Sequence, residues 1–172
     1  MRKLEFIISG DCVHCGTAEA RKVQTTKIYS HKTYGPAYAY ELGIAIFENR
    51  LVWIAGPFLA SVHDITMFCN EDDPENSLKA QILEGKRIIA DAGYKGEASG
   101  IVSISRPSDS KEVCTFKNRV RARHESFNDR IKSFRILDER FCHGKALHRQ
   151  VFESVCVLVQ FDMENGHPLM EI

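Results

Sequence analysis

From Asn118 onward the apolar residues change period, and this switch constrains the fold more than any other feature of the chain. Val120, His124, Phe127, Ile131 and Phe134 recur at helical spacing, which predicts an amphipathic helix over 118–136 with one packing stripe. A second apolar helix is expected over about 145–164, with Leu147, Val151, Val155 and Leu158 on one face and Gly166 and Pro168 ending it. Before the switch, the apolar runs are short and rich in β-formers. Residues 4–9 read as a strand stopped by Gly10, beside Asp11. Residues 38–47 and 51–58 read as a hairpin around Glu48-Asn49-Arg50, and 87–90 as a strand running into Asp91 and turned by Gly93. Residues 12–37 lack lasting periodicity and read as a long loop. Two short helical segments, 64–69 and 77–83, flank Pro74 as a crossover, and 95–117 carries only a weak strand signal at 101–105. The order is three strands, a crossover, a strand and then helices.

At 172 residues, with 44% hydrophobic and 27% charged content, the chain is sized for one domain with its own core. Its formal net charge is zero, which excludes holding DNA by bulk electrostatics, so any nucleic-acid contact must be local. Six cysteines in a chain of this size fit a reducing compartment better than a disulfide scaffold. The longest apolar runs fall far short of the ~20 residues of a membrane helix, so no membrane partner is expected.

Arg121, Glu125, Asn128 and Lys132 follow at steps of four, three and four, which places them on a single polar helix face. Such a face is ordinarily a solvated one with favourable ion pairs. Two aspartates ending strands add weight, because α/β folds gather ligands at strand ends. Asp11, Asp91 and Glu125 could then converge as oxygen ligands for two Mg2+ or Mn2+ ions serving phosphodiester chemistry. Arg121, Lys132 and Asn128 would contact phosphate or DNA beside them.

Several segments together resemble the DDE superfamily endonuclease domain of PIF/Harbinger-type transposases. They are the run from Tyr29 through His31-Lys32-Thr33-Tyr34-Gly35-Pro36, Tyr40-Glu41-Leu42-Gly43, Trp53-Ile54-Ala55-Gly56-Pro57-Phe58, and His63-Asp64-Ile65-Thr66-Met67-Phe68. Ala90-Asp91-Ala92-Gly93-Tyr94, Arg123-His124-Glu125-Ser126-Phe127-Asn128 with Lys132, and the closing Glu164-Asn165-Gly166-x-Pro168-Leu169 continue it over nearly the whole chain. The resemblance implies an RNase H-like α/β fold, a mixed sheet flanked by helices, with Asp11, Asp91 and Glu125 as metal-binding catalytic triad. It implies a metal-dependent DNA endonuclease and strand transferase of a cut-and-paste transposon, located in the nucleus. Its partners would be transposon ends and target DNA, a separate DNA-binding protein or N-terminal module, and a homo-oligomer could form. Two features depart from the family: Asp11 is followed by Cys12-Val13-His14-Cys15 rather than Gly-Thr or Gly-Cys, and Asn118 stands where a tyrosine is expected. Residues 1–172 are expected to be one catalytic domain without the N-terminal DNA-binding region. The alternative is a domesticated or decayed copy that keeps the fold as a protein-interaction module.

Other constellations weigh less. Cys12-x-x-Cys15 with Cys142-His143 offers an incomplete zinc set, and the cysteines read instead as ordinary packed or loop residues. Asp64 could be a fourth metal-proximal acid but reads better as a helix N-cap. His124, on the apolar stripe, reads as a packed residue. The turn around Tyr29–Gly35 reads either as a DNA- or partner-facing loop or as a rigid turn.

Overall fold

The computed structural model describes residues 5–18, 25–96 and 100–172. Leu4 of the expected first strand, 19–24 of the expected loop and 97–99 of the weakly patterned stretch lie outside the described residues. The elements in chain order are β1 (Phe6–Gly16), α1 (Thr25–Ile28), β2 (Tyr29–Ser30), β3 (Gly35–Ala45), β4 (Leu51–Leu59), α2 (Asp64–Cys69), α3 (Leu78–Gln81), β5 (Arg87–Ile89), β6 (Val102–Ser103), α4 (Lys111–Lys132), α5 (Arg135–Asp138) and α6 (Lys145–Glu164). Short 3-10 turns occupy Pro74–Asn76 and Ala92–Tyr94.

β1 lies in the middle of the sheet. It pairs antiparallel with β3, which pairs antiparallel with β4, and on its other side it runs parallel to β5, followed by parallel β6. β2 adds a two-residue ladder at the start of β3. A mixed sheet in this order, flanked by helices, is an RNase H-like α/β fold.

Side chains on β1 and β3 alternate between two cores, as the pleat requires. Val13, Cys15, Tyr38, Tyr40, Leu42 and Ile44 pack with Phe127 and Ile131 of α4 and with Phe152, Val155 and Val159 of α6. Cys12 and Ala39 face the other way, onto Met67, Phe68, Leu78 and Tyr94. Cys12 and Cys15 therefore belong to opposite faces of one strand, and their side chains diverge rather than pair.

Three expectations are corrected here. Gly10 does not stop the first strand: β1 continues through Asp11 to Gly16, because ladders on both sides carry the backbone across the glycine. Much of the expected loop is accordingly β1, α1, β2 and the start of β3. The helix expected from 118 also begins seven residues earlier, at Lys111. Ser110 caps it, its Oγ accepting from Val113 N at 3.4 Å, and the Lys117–Asp109 pair at 2.8 Å ties the first turns to the preceding loop. Finally, α6 has the expected span but buries His148, Phe152, Val155, Cys156, Val159 and Met163, leaving Leu147 and Leu158 exposed. The reason is aromatic: Phe152 stacks on Tyr40 at 3.7 Å between centroids, and Tyr40 Oη shares a 2.8 Å hydrogen bond with His148 Nδ1. The stripe predicted for α4 is present, with Val120, His124, Phe127 and Ile131 buried.

Candidate active site

The face of β1 toward α4 carries Ser9, Asp11 and Val13, and two residues of strand span about the same length as one turn of helix. His124 and Asn128, one turn apart on α4, therefore meet Ser9 and Asp11, two residues apart on β1. His124 Nδ1 lies 2.9 Å from Ser9 Oγ, and Asn128 Nδ2 donates to Asp11 Oδ2 at 3.0 Å. The other oxygen of Asp11 accepts from Cys12 N at 2.7 Å, so both carboxylate oxygens are held. Asp11 is thus a mid-strand residue, not a strand-end one. Asn128, only 4% exposed, leaves the solvated face on which the helix spacing put it.

Asp91 follows β5 directly after Ala90, and its Oδ1 accepts from Gly93 N at 2.7 Å to cap the turn Ala92–Tyr94. Gly93 leaves room for two carboxylates. A Cβ there would collide with Asp64 Oδ2 and stand 3.0 Å from Asp91 Oδ1, so its absence lets two carboxylates flank one turn. Asp64 is the first residue of α2, not its cap. The cap position belongs to His63, which makes no capping side-chain bond.

Asp11, Asp91, Glu125 and Arg121 line one niche of about 20 Å3, together with Ser9, Gly10, Ile89 and His124. Burial raises the Asp11 carboxyl above its ordinary range, Lys32 opposes the rise and Asp91 adds to it. Glu125 is likewise raised, by burial first and by Asp11 next. Asp64 is raised by burial and by Asp91, against Lys32. These acids repel one another, and Lys32 is the cation that acts on all three. Lys32 Nζ itself donates to Cys12 O at 3.1 Å, beside Asp11.

His124 is packed, at 2% exposure, and burial lowers it to about 3, so its ring is neutral. Ser9 Oγ donates to Ile44 O at 3.3 Å, which leaves it to accept from His124 Nδ1–H. His124 Nε2 then carries a lone pair, and neither it nor Asn128 Oδ1 has a hydrogen-bond partner among the described residues.

The structure separates the expected phosphate-contacting residues. Arg121 lies with the acids, whereas Lys132, two turns beyond Glu125, lines another groove with His14, Lys32 and Arg140. Lys32 escaped the sequence reading of the site, and Asp64 was weighed there as a fourth metal-proximal acid but read as a helix N-cap. The turn preceding β3 places Lys32, and helix periodicity has no bearing on it. For Asp64 the only signal was an acid at a helix start, which capping explains equally well.

Fold and niche together define an RNase H-like domain with acids gathered where β1 and β5 lie side by side. Residues 11–160 match the family described as DDE superfamily endonuclease, and the chain belongs to that family. Its members are endonucleases of the transposase class that generally act on DNA and use divalent metal ions. No curated protein and no solved structure matches the chain. Among the described residues, no three His, Cys, Asp or Glu side chains stand together as a ready-made metal site. The donor chemistry around the niche nevertheless suits a hard divalent cation: three oxygen-donating acids, of which Asp91 raises Asp11 and Asp11 raises Glu125, with a buried amide on Asp11. Among the described residues, no helix is long and apolar enough to cross a membrane.

Proposed function

We propose that the chain is the catalytic domain of a PIF/Harbinger-type cut-and-paste transposase, a DNA endonuclease and strand transferase acting in the nucleus. The observation that carries this reading is the single niche that Asp11, Asp91 and Glu125 share with Arg121. Asp11, Asp91 and Glu125 would hold two Mg2+ or Mn2+ ions. When bound, the ions would activate the attacking oxygen, first of water and then of the freed 3′-hydroxyl, and neutralise the leaving one.

The remaining roles belong to the chain's own groups. Asn128 and the Cys12 amide hold the Asp11 carboxylate in one orientation. Gly93 keeps the Asp91 turn tight, and Asp64 adds negative charge beside it. Arg121, which lines the niche, would contact a phosphate entering it, and Lys32, bonded to Cys12 O beside Asp11, would add a second cation. End recognition would come from a separate DNA-binding module, and a homo-oligomer would bring two ends together.

Thermal melts with Mn2+ and Mg2+ test the site without DNA. A cation at one hundred times its Kd stabilises the folded state by about 2.7 kcal/mol. The wild type should gain Tm with metal, and Asp91→Asn or Glu125→Gln should abolish that gain together with cleavage of transposon-end DNA. Cys12-Val13-His14-Cys15 after Asp11, in place of Gly-Thr or Gly-Cys, favours a second reading, a domesticated or decayed module that no longer cuts. Metal without effect on any of the three proteins would establish that reading in place of the first.

A further inference from the structure

The turn between β2 and β3 holds Tyr34 in an unusual state. The residue is 86% exposed, and its backbone has φ 53°, a left-handed conformation that aromatic residues rarely adopt. The turn is tied at several points. Ser30 Oγ accepts from Lys32 N at 3.1 Å and from Thr33 N at 3.3 Å, and is itself 2.7 Å from His14 Nδ1. Lys32 Nζ adds the bond to Cys12 O. Strain of this kind persists where surrounding contacts over-determine it, and it concentrates at ligand-contacting positions.

Tyr34 borders a groove of about 710 Å3 lined also by His14, Tyr29, Lys32, Lys132 and Arg140. Among the described residues of its lining, three are Lys or Arg and only Asp138 is acidic, in a chain whose formal net charge is zero. The groove also adjoins the acid niche. Its Lys32 bonds the backbone next to Asp11, and Lys132 draws on the Glu125 carboxyl from the same helix. A polyanion crossing the niche would therefore continue along these cations toward Tyr34.

We propose that this groove binds a single strand of DNA adjoining the cleavage point, with one unpaired base stacked on the Tyr34 ring. A fixed, exposed aromatic beside backbone-tracking cations is the arrangement that binds single strands, since a paired duplex offers its bases only by their edges. The tether through Ser30, His14 and Lys32 sets Tyr34 at a constant offset from Asp11, so the stacked base is at a fixed distance from the cut.

The inference rests on the reading of the chain as a DNA endonuclease. Its test uses the full chain without divalent metal and a forked DNA whose single-stranded arm carries 2-aminopurine at successive positions. The wild type should change 2-aminopurine fluorescence at one position and bind the fork more tightly than a blunt duplex. Tyr34→Ala should weaken fork binding about tenfold and remove the positional signal, leaving duplex affinity and Tm unchanged, while Tyr34→Trp restores both. Equal fork affinity and an unchanged fluorescence pattern in Tyr34→Ala would overturn the stacking role while leaving DNA binding in place. A wild type that binds neither fork nor duplex would overturn the endonuclease reading along with it.

Discussion

Glu41 is a carboxylate in the interior of the sheet, 0% exposed, and the sequence analysis assigned it no role beyond the family resemblance. Trp53 Nε1 donates to its Oε2 at 3.0 Å and Tyr94 Oη to its Oε1 at 3.3 Å, yet burial still pushes its pKa from 4.5 to about 7. The folded state thus keeps a proton that the unfolded chain releases. Its contribution to stability falls as pH rises from 4.5 to about 7, and the cost of the buried carboxylate persists above that range. Glu41→Gln cannot ionise, so its Tm advantage over wild type should be absent near pH 4.5 and reach a plateau above pH 7. The change corresponds to about 3 kcal/mol at most. His14, His124 and His148, lowered by burial to about 4, 3 and 4, act in the opposite sense, losing stability as pH falls below 6.5. They are common to both proteins and cancel in the comparison. A Tm difference independent of pH would show that Glu41 does not titrate in this window. Among the residues lining the niche, Asp91 and Glu125 were legible as candidates because each sits in a locally recognisable setting, a strand-glycine junction and a helix face. Lys32 was not, and Asp64 was read as a cap, because only folding brings a turn and a crossover helix to the same acids.

At the scale of elements, α4 is held by more than its stripe. Arg123, only 4% exposed, donates to the carbonyls of Ala45, Glu48 and Met170 and to Asn49 Oδ1, which also accepts from Leu169 N. One guanidinium thus joins the helix, the β3–β4 hairpin and the C-terminal segment. Arg123→Met should cost about 3 kcal/mol, because it leaves those acceptors without their charged donor. Chemical denaturation should show a lower midpoint at an unchanged slope; an unchanged midpoint would mean the junction is held by packing alone. The sequence reading gave the helix over 118–136 one packing stripe and Arg123 no place on it, since a burial of arginine has no periodic signature. The start of α4 escaped it for a related reason: its first turn is set by the Ser110 cap and the Lys117–Asp109 pair, not by apolar spacing. On α6 apolar residues occur nearly all round, so spacing could not choose the buried face, and Tyr40 on β3 chose it.

Across the whole molecule, positive charge is local rather than general. If Arg121, Lys32, Lys132 and Arg140 each neutralise one phosphate of a single strand, log affinity should fall with log salt at a slope of about −3, and Arg140→Ala should reduce that slope by about 0.7. A slope near zero would mean that these cations do not carry the contact. The sequence by itself determined the α/β class, the β3–β4 hairpin, β5 and the two long helices, and it offered Asp91 and Glu125 as candidate acids, because periodicity, glycines and local motifs act over a few residues. Tertiary structure alone decided that β1 runs on through Asp11, that Asn128 turns inward to hold it, and that Lys32 and Asp64 join the acids. Those outcomes depend on ladders and packing between segments up to 117 residues apart, where the pleat of one strand meets the turn of one helix.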